Sequence, residues 1–238
     1  DEEFIIADQQ ALINYGESFI LVLEKGIVDD SGKGHVKALL ALEDFWYRIR
    51  QVSSLRWQEI FIQNIRDMFS AGLWQFQHIV NSEKPTLKAY YQLRQYLGAA
   101  HLASDSLEVT GNIHLPDEVY KDEAIKNLTI SARNAICFAN DLFSLAKEIA
   151  KSEGGAEFNI VSILQNERGI SIDEAITTSA HLHDQEVLNF MEYSNSVRTY
   201  GNATDNAIKK YISGLEYLMR GNIDWSTEAT TRYPHIYG

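Results

Sequence analysis

The chain has 238 residues, 45% of them hydrophobic, and a formal net charge of −12 with no basic stripe, which disfavours a nucleic-acid partner. A single cysteine, Cys137, excludes an intrachain disulfide and fits a reducing compartment. The longest apolar runs, such as Phe19-Ile20-Leu21-Val22-Leu23, are too short for a membrane span or a signal peptide, so a cytoplasmic location is expected.

A chain of this size can bury a sizeable core, and nothing marks a second domain, so one domain over 1–238 is expected. No proline lies between Pro116 and Pro234, and the segments between glycines and prolines are long, which predicts a mostly helical chain. In chain order, Asp29-Asp30-Ser31-Gly32-Lys33-Gly34 is a loop. Helical period follows in Leu39, Leu42, Phe45, Trp46 and Ile49, and again in Trp57, Ile60, Phe61, Ile65, Met68 and Phe69. Both stripes read as core rather than pocket. Lys84-Pro85-Thr86 opens the helix that carries Arg94, and His114-Leu115-Pro116-Asp117 opens another. Asp105 and Glu108 share a helix face and read as solvated. Glu167-Arg168-Gly169-Ile170-Ser171 is a turn, with Ser171 or Asp173 starting the next helix.

The stretch that carries chemistry is Asn140-Asp141-Leu142-Phe143-Ser144-Leu145-Ala146-Lys147-Glu148. On an α-helix a step of four residues turns by about 400°, so Asn140, Ser144 and Glu148 stack one turn apart on one face. An amide carbonyl, a hydroxyl and a carboxylate are hard oxygen donors that suit Mg²⁺ keeping waters and substrate phosphate in its shell. Lys147, beside them, can meet that phosphate as a point charge. Any wet helix face can carry such a triple. This one interrupts an apolar segment, however, and buried polar groups need partners.

These residues resemble the Asn-Ser-Glu metal motif of bacterial-type class I terpene synthases, (N/D)Dxx(S/T)xx(K/R)E, followed in that family by a glycine-containing loop and an Asn-aliphatic-Val segment, as Gly154-Gly155 and Asn159-Ile160-Val161 stand here. Leu93-Arg94, with Gly98 four residues on and Asn140 46 residues on, resembles the family's diphosphate-sensing arginine and the small residue at the helix break beside it. Asp224-Trp225 with Arg232-Tyr233 resembles its C-terminal Arg-Tyr pair, and Val36-Lys37-Ala38-Leu39-Leu40 running to Phe45-Trp46-Tyr47-Arg48 resembles an early helix. The resemblance implies an all-α antiparallel helical bundle around an apolar pocket. It implies Mg²⁺-dependent ionisation and cyclisation of a prenyl diphosphate, foremost farnesyl diphosphate, with three Mg²⁺ ions when substrate is bound. In that scheme Asn140, Ser144 and Glu148 hold metal, and Arg94, Lys147, Arg232 and Tyr233 clamp the diphosphate. Gly98 and Trp225 line the pocket. Trp225 precedes Arg232 by seven residues, two helical turns, and is expected on the same side but deeper. A homodimer is the candidate assembly.

The family's other metal site is an Asp-rich motif, DDxx(D/E), whereas this sequence opens with Asp1-Glu2-Glu3-Phe4. Asp1 is either the closing acid of such a motif or a diverged first position, while a solvated end is the plainer reading of the residues. The family's preceding helices are missing too, so the chain is expected to be a truncated form, weakly active or inactive alone, or one numbered from an internal point. The alternative function is a terpene-synthase-fold protein that binds prenyl diphosphate without turnover. A chain-elongating prenyltransferase would carry a second Asp-rich motif where this chain has Asn140, Ser144 and Glu148. The pair His181 and His183 with Asp184 is a poor metal site, because residues two apart diverge on a helix.

Overall fold

The structure is a computed structural model that describes residues 8–28, 36–151 and 157–233, and among them every regular element is helical. The expected loop at 29–34, Gly154-Gly155 and Asp1 lie outside the described residues. The chain forms two compact units, residues 1–83 and 84–238. No described helix is long and apolar enough to cross a membrane.

The first unit holds α1 (Gln9–Lys25), α2 (Val36–Ile49) and α3 (Leu55–Asn81). Asp8 caps α1 through the Ala11 amide at 2.7 Å, and Ser54 caps α3 through the Trp57 amide at 3.1 Å, each satisfying an amide the helix itself leaves open. The indole of Trp46 donates to the Leu23 carbonyl at 2.7 Å and stacks on Phe61, which also stacks on Trp57. Both expected stripes thus supply core. Phe45 is the departure, lying on the exposed side of α2.

The second unit contains α4 (Leu87–Leu97), α5 (Ala100–Thr110), the single turn α6 (Asp117–Tyr120), α7 (Glu123–Lys151), α8 (Ile160–Arg168), α9 (Ile172–Ser196) and α10 (Asn202–Asp224). One π turn, Trp225–Ala229, ends the last of these. Thr86 caps α4, and Ser171 with Glu174 forms a reciprocal capping box on α9, so the polar punctuation places both starts where expected. Between α4 and α5 the chain breaks at Ala99, a non-glycine residue at φ 54°.

The long helix α7 is the axis of this unit and packs against α4, α5, α8, α9 and α10. Its first half joins a cluster through Ile125, Leu128 and Ala132, together with Phe190, Ile208, Tyr211 and Leu215. Its second half joins another through Cys137, Phe138 and Leu145, together with Tyr90, Ile160, Ile163 and Leu164. The apolar segment that the polar ladder interrupts is therefore buried, as read from the sequence.

Candidate functional site

The second half of α7 presents Asn140, Ser144 and Glu148 on successive turns, with Ser144 buried and the other two half-buried. Ser144 Oγ donates to Glu148 Oε1 at 2.5 Å. Glu148 Oε2 accepts from Asn159 Nδ2 at 3.1 Å, reaching the carboxylate from the start of α8. Asn140 Oδ1 accepts from Arg94 Nη2 at 3.1 Å, and Asn140 Nδ2 donates to the Tyr233 hydroxyl at 3.1 Å. The ladder expected from spacing is thus assembled, and Arg94 and Tyr233 both touch its first rung.

Arg94 is anchored by a residue that spacing did not single out. Asp141 Oδ1 accepts from Arg94 Nε at 2.9 Å and from Nη2 at 2.7 Å, while Oδ2 accepts from the Tyr90 hydroxyl at 2.8 Å and the Ile160 amide at 3.2 Å. The Asp141 side chain is 1% exposed, and a carboxylate in such surroundings persists only with this density of donors. Burial raises its carboxyl above the ordinary range, with Arg94 and the Tyr90 hydroxyl opposing. Burial alone would lower the Arg94 guanidinium, but the carboxylate of Asp141 and the neighbouring Tyr90 hold it well above the usual arginine range, so it stays a cation. The Tyr90 phenol is pushed well up by burial and then by Asp141.

Gly98, the C-cap of α4, explains how the guanidinium fits. A Cβ there would collide with Arg94 Nη1, the one guanidinium nitrogen that makes none of the bonds above. The small residue is required beside the arginine, as the sequence suggests, and its effect is to let the side chain fold back over the helix end.

The C-terminal residues divide. Tyr233 is buried at 6% exposure, its ring stacked near Phe143 at 6.5 Å, edge-on to Trp225 at 6.1 Å and 6.0 Å from Lys147 Nζ. Arg232 is exposed, its backbone amide donating to Thr230 Oγ1 at 3.1 Å. Trp225 is 41% exposed. The expected two-turn register fails because the helix ends in a π turn at Ala229, so Trp225 and Arg232 do not share one continuous helix.

Sequence reasoning did not single out Tyr90, and it quoted Asp141 and Asn159 within their motif segments without giving either a role. The available signal was Asp141 itself, an acid inside a segment whose surroundings, Cys137-Phe138-Ala139 and Leu142-Phe143, are apolar. Asp105 is also corrected: it pairs with Arg133 Nη2 at 2.7 Å at 15% exposure and is not a solvated acid. His183 Nδ1 lies 3.0 Å from Asp184 Oδ1 at the surface. The oxygen set of Asn140, Ser144 and Glu148 fits a hard divalent cation, having one carboxylate among neutral donors, with Ser144 and Glu148 already in contact.

Comparison with known proteins gives one concordant picture. The family model described as "Terpene synthase family 2, C-terminal metal binding" matches residues 25–188. The chain is similar to the (+)-T-muurolol synthase ((2E,6E)-farnesyl diphosphate cyclizing) of Roseiflexus castenholzii, 30% identical over 98% of this chain and 70% of that protein. It is similar to the 10-epi-cubebol synthase of Sorangium cellulosum, 26% identical over 84% of this chain. Only 62% of that relative is spanned by the match. The fold matches the crystal structure of the SVS_A2 protein from ancestral sequence reconstruction with a TM-score of 0.83 at 24% identity, covering 97% of this chain and 66% of that one.

Proposed function

The chain belongs to terpene synthase family 2, and on that premise we propose that it ionises farnesyl diphosphate in a Mg²⁺-dependent step and cyclises the resulting cation to a sesquiterpene. The observation that carries this reading is Arg94 Nη2 at 3.1 Å from Asn140 Oδ1, a buried guanidinium beside the first oxygen of the metal ladder. The substrate class is supported by the printed name of the R. castenholzii relative, which gives (2E,6E)-farnesyl diphosphate as the compound that protein cyclises.

Separating an allyl cation from diphosphate builds negative charge on the leaving oxygens; Asn140, Ser144 and Glu148 would hold one of three Mg²⁺ ions, which would supply opposing charge there. Arg94 offers its Nη1 edge to the anion, since Asp141 holds Nε and Nη2 and so presets the fork. Lys147 adds a point charge, and Arg232, exposed in the structure, is in our reading a further clamp on the diphosphate. Tyr233, which now accepts from Asn140, turns its hydroxyl to donate to the diphosphate. The faces of Tyr233, Phe143 and Trp225 attract a carbocation while offering it no nucleophile.

The test is incubation with Mg²⁺ and geranyl, farnesyl or geranylgeranyl diphosphate, followed by gas chromatography of the extract and a diphosphate-release assay. A cyclic C15 product from farnesyl diphosphate is expected. Absence of diphosphate release from all three substrates overturns the reading.

A further inference from the structure

We propose that Asn159 is a positioning residue for Glu148, fixing the one carboxylate of the ladder in the orientation the cation needs; this rests on the metal reading above. Glu148 stands in the last turn of α7, where a long side chain with free torsions would sample many rotamers. Hydrogen bonds from two elements restrain it. Ser144 Oγ donates to Oε1 at 2.5 Å from the same helix, and Asn159 Nδ2 donates to Oε2 at 3.1 Å from the start of another.

Asn159 is suited to this task because its own side chain has no freedom. It is fully buried, and its Oδ1 accepts from the Val161 amide at 3.0 Å, capping α8. Its amide nitrogen also donates to the Asp141 carbonyl at 2.7 Å, so one N–H is fixed on α7 and the other is aimed at Glu148. The flanking backbone is held as well. The Phe158 carbonyl accepts from the Tyr90 hydroxyl at 2.8 Å, and the Ile160 amide donates to Asp141 Oδ2 at 3.2 Å. Capping alone would need only an acceptor oxygen, which Ser or Thr supplies about as well. The two donations from the amide nitrogen exceed that need, and one of them lands on a metal-ladder oxygen. Partners that orient a ligand in this way change metal affinity by about 10- to 100-fold when removed.

The experiment measures Mn²⁺ binding by electron paramagnetic resonance of the free ion, with inorganic diphosphate present, on the 238-residue chain and its variants. N159S and N159T keep a capping oxygen and remove the donor to Glu148, and having both guards against one failing to fold; circular dichroism checks each. Both should weaken Mn²⁺ binding about 10-fold or more, E148Q should weaken it too, and N159S should add no further loss in the E148Q background. Wild-type Mn²⁺ affinity in a folded N159S or N159T variant, with E148Q impaired, overturns the positioning role and leaves the ladder reading standing. A full additional loss in the double variant overturns it as well, because Asn159 would then act elsewhere. Wild-type affinity in E148Q refutes the ladder itself, and the proposal with it.

Discussion

Two guanidinium–carboxylate pairs meet α7, and they differ in what is left over. In the first, Arg133 places Nη2 on Asp105 at 2.7 Å, Nε on Ser104 Oγ at 2.7 Å and Nη1 on Gln95 Oε1 at 3.1 Å. Every nitrogen is engaged and the pair is closed. In the second, Arg94 places Nε and Nη2 on Asp141, shares Nη2 with Asn140, and keeps Nη1 against Gly98. That pair is buried more deeply, with side chains 11% and 1% exposed against 14% and 15% for Arg133 and Asp105. Burying charge costs stability unless donors and acceptors are matched, and among the described residues Nη1 of Arg94 makes no hydrogen bond, which leaves it able to meet the anion of the proposed reaction. The bonds of the individual nitrogens distinguish the closed pair from the one beside the polar ladder more sharply than exposure does.

The largest test of that contrast is removal of each acid. Asp141→Ala leaves Arg94 without its carboxylate and the Ile160 amide without its acceptor, and should destabilise the fold by about 3–5 kcal/mol in urea denaturation. Asp105→Ala should cost about 1–3 kcal/mol, because Ser104 and Gln95 still hold the other two nitrogens of Arg133. Equal losses would erase the distinction. The arginines come next. Arg94→Lys keeps charge but not the fork, and turnover of farnesyl diphosphate should fall by about 10²–10³. Arg133→Lys should leave turnover near wild type, and a matching fall there would show that both pairs serve the site.

Smaller effects come from two glycines. Gly98→Ala drives a methyl into Arg94 Nη1, which Asp141 prevents from yielding, and should lower stability by about 1–3 kcal/mol. At Gly214 the added Cβ would meet Leu107 Cδ1 and Cδ2 at 3.0 Å, the flexible end of a leucine, so Gly214→Ala should be milder in the same thermal melt. The smallest effect is alkaline. Burial pushes the Cys137 thiol in α7 from 9.0 up to about 11, and the Tyr211 phenol in α10 from 10.0 up to about 12. The fold favours both protonated forms. The Cys137 contribution is therefore complete below pH 9.0 and lost as pH climbs through about 11, ahead of the loss at Tyr211. Cys137→Ala should flatten the decline of melting temperature in that first window only.

The sequence was most legible where the physics is local. Four-residue spacing put Asn140, Ser144 and Glu148 on one face because helix geometry fixes direction within a few turns. Thr86 and Ser171 opened α4 and α9 because a cap needs only the next amides. Local reasoning failed at Trp225, where the change to a π turn left no mark that spacing could read.

Residue order alone was enough for a mostly helical chain, for the starts at Thr86 and Ser171, for the apolar segment around the polar ladder and for the family resemblance those residues carry. It was not enough to say which groups meet Asp141. Its partners Tyr90, Arg94 and Ile160 stand 51, 47 and 19 residues away along the chain. Nothing in periodicity sets the angle at which α4 and the start of α8 close on α7. Packing of Tyr90, Phe138, Ile160 and Leu164 sets it, and that packing turns an acid within an apolar stretch into the anchor of the arginine beside the ladder.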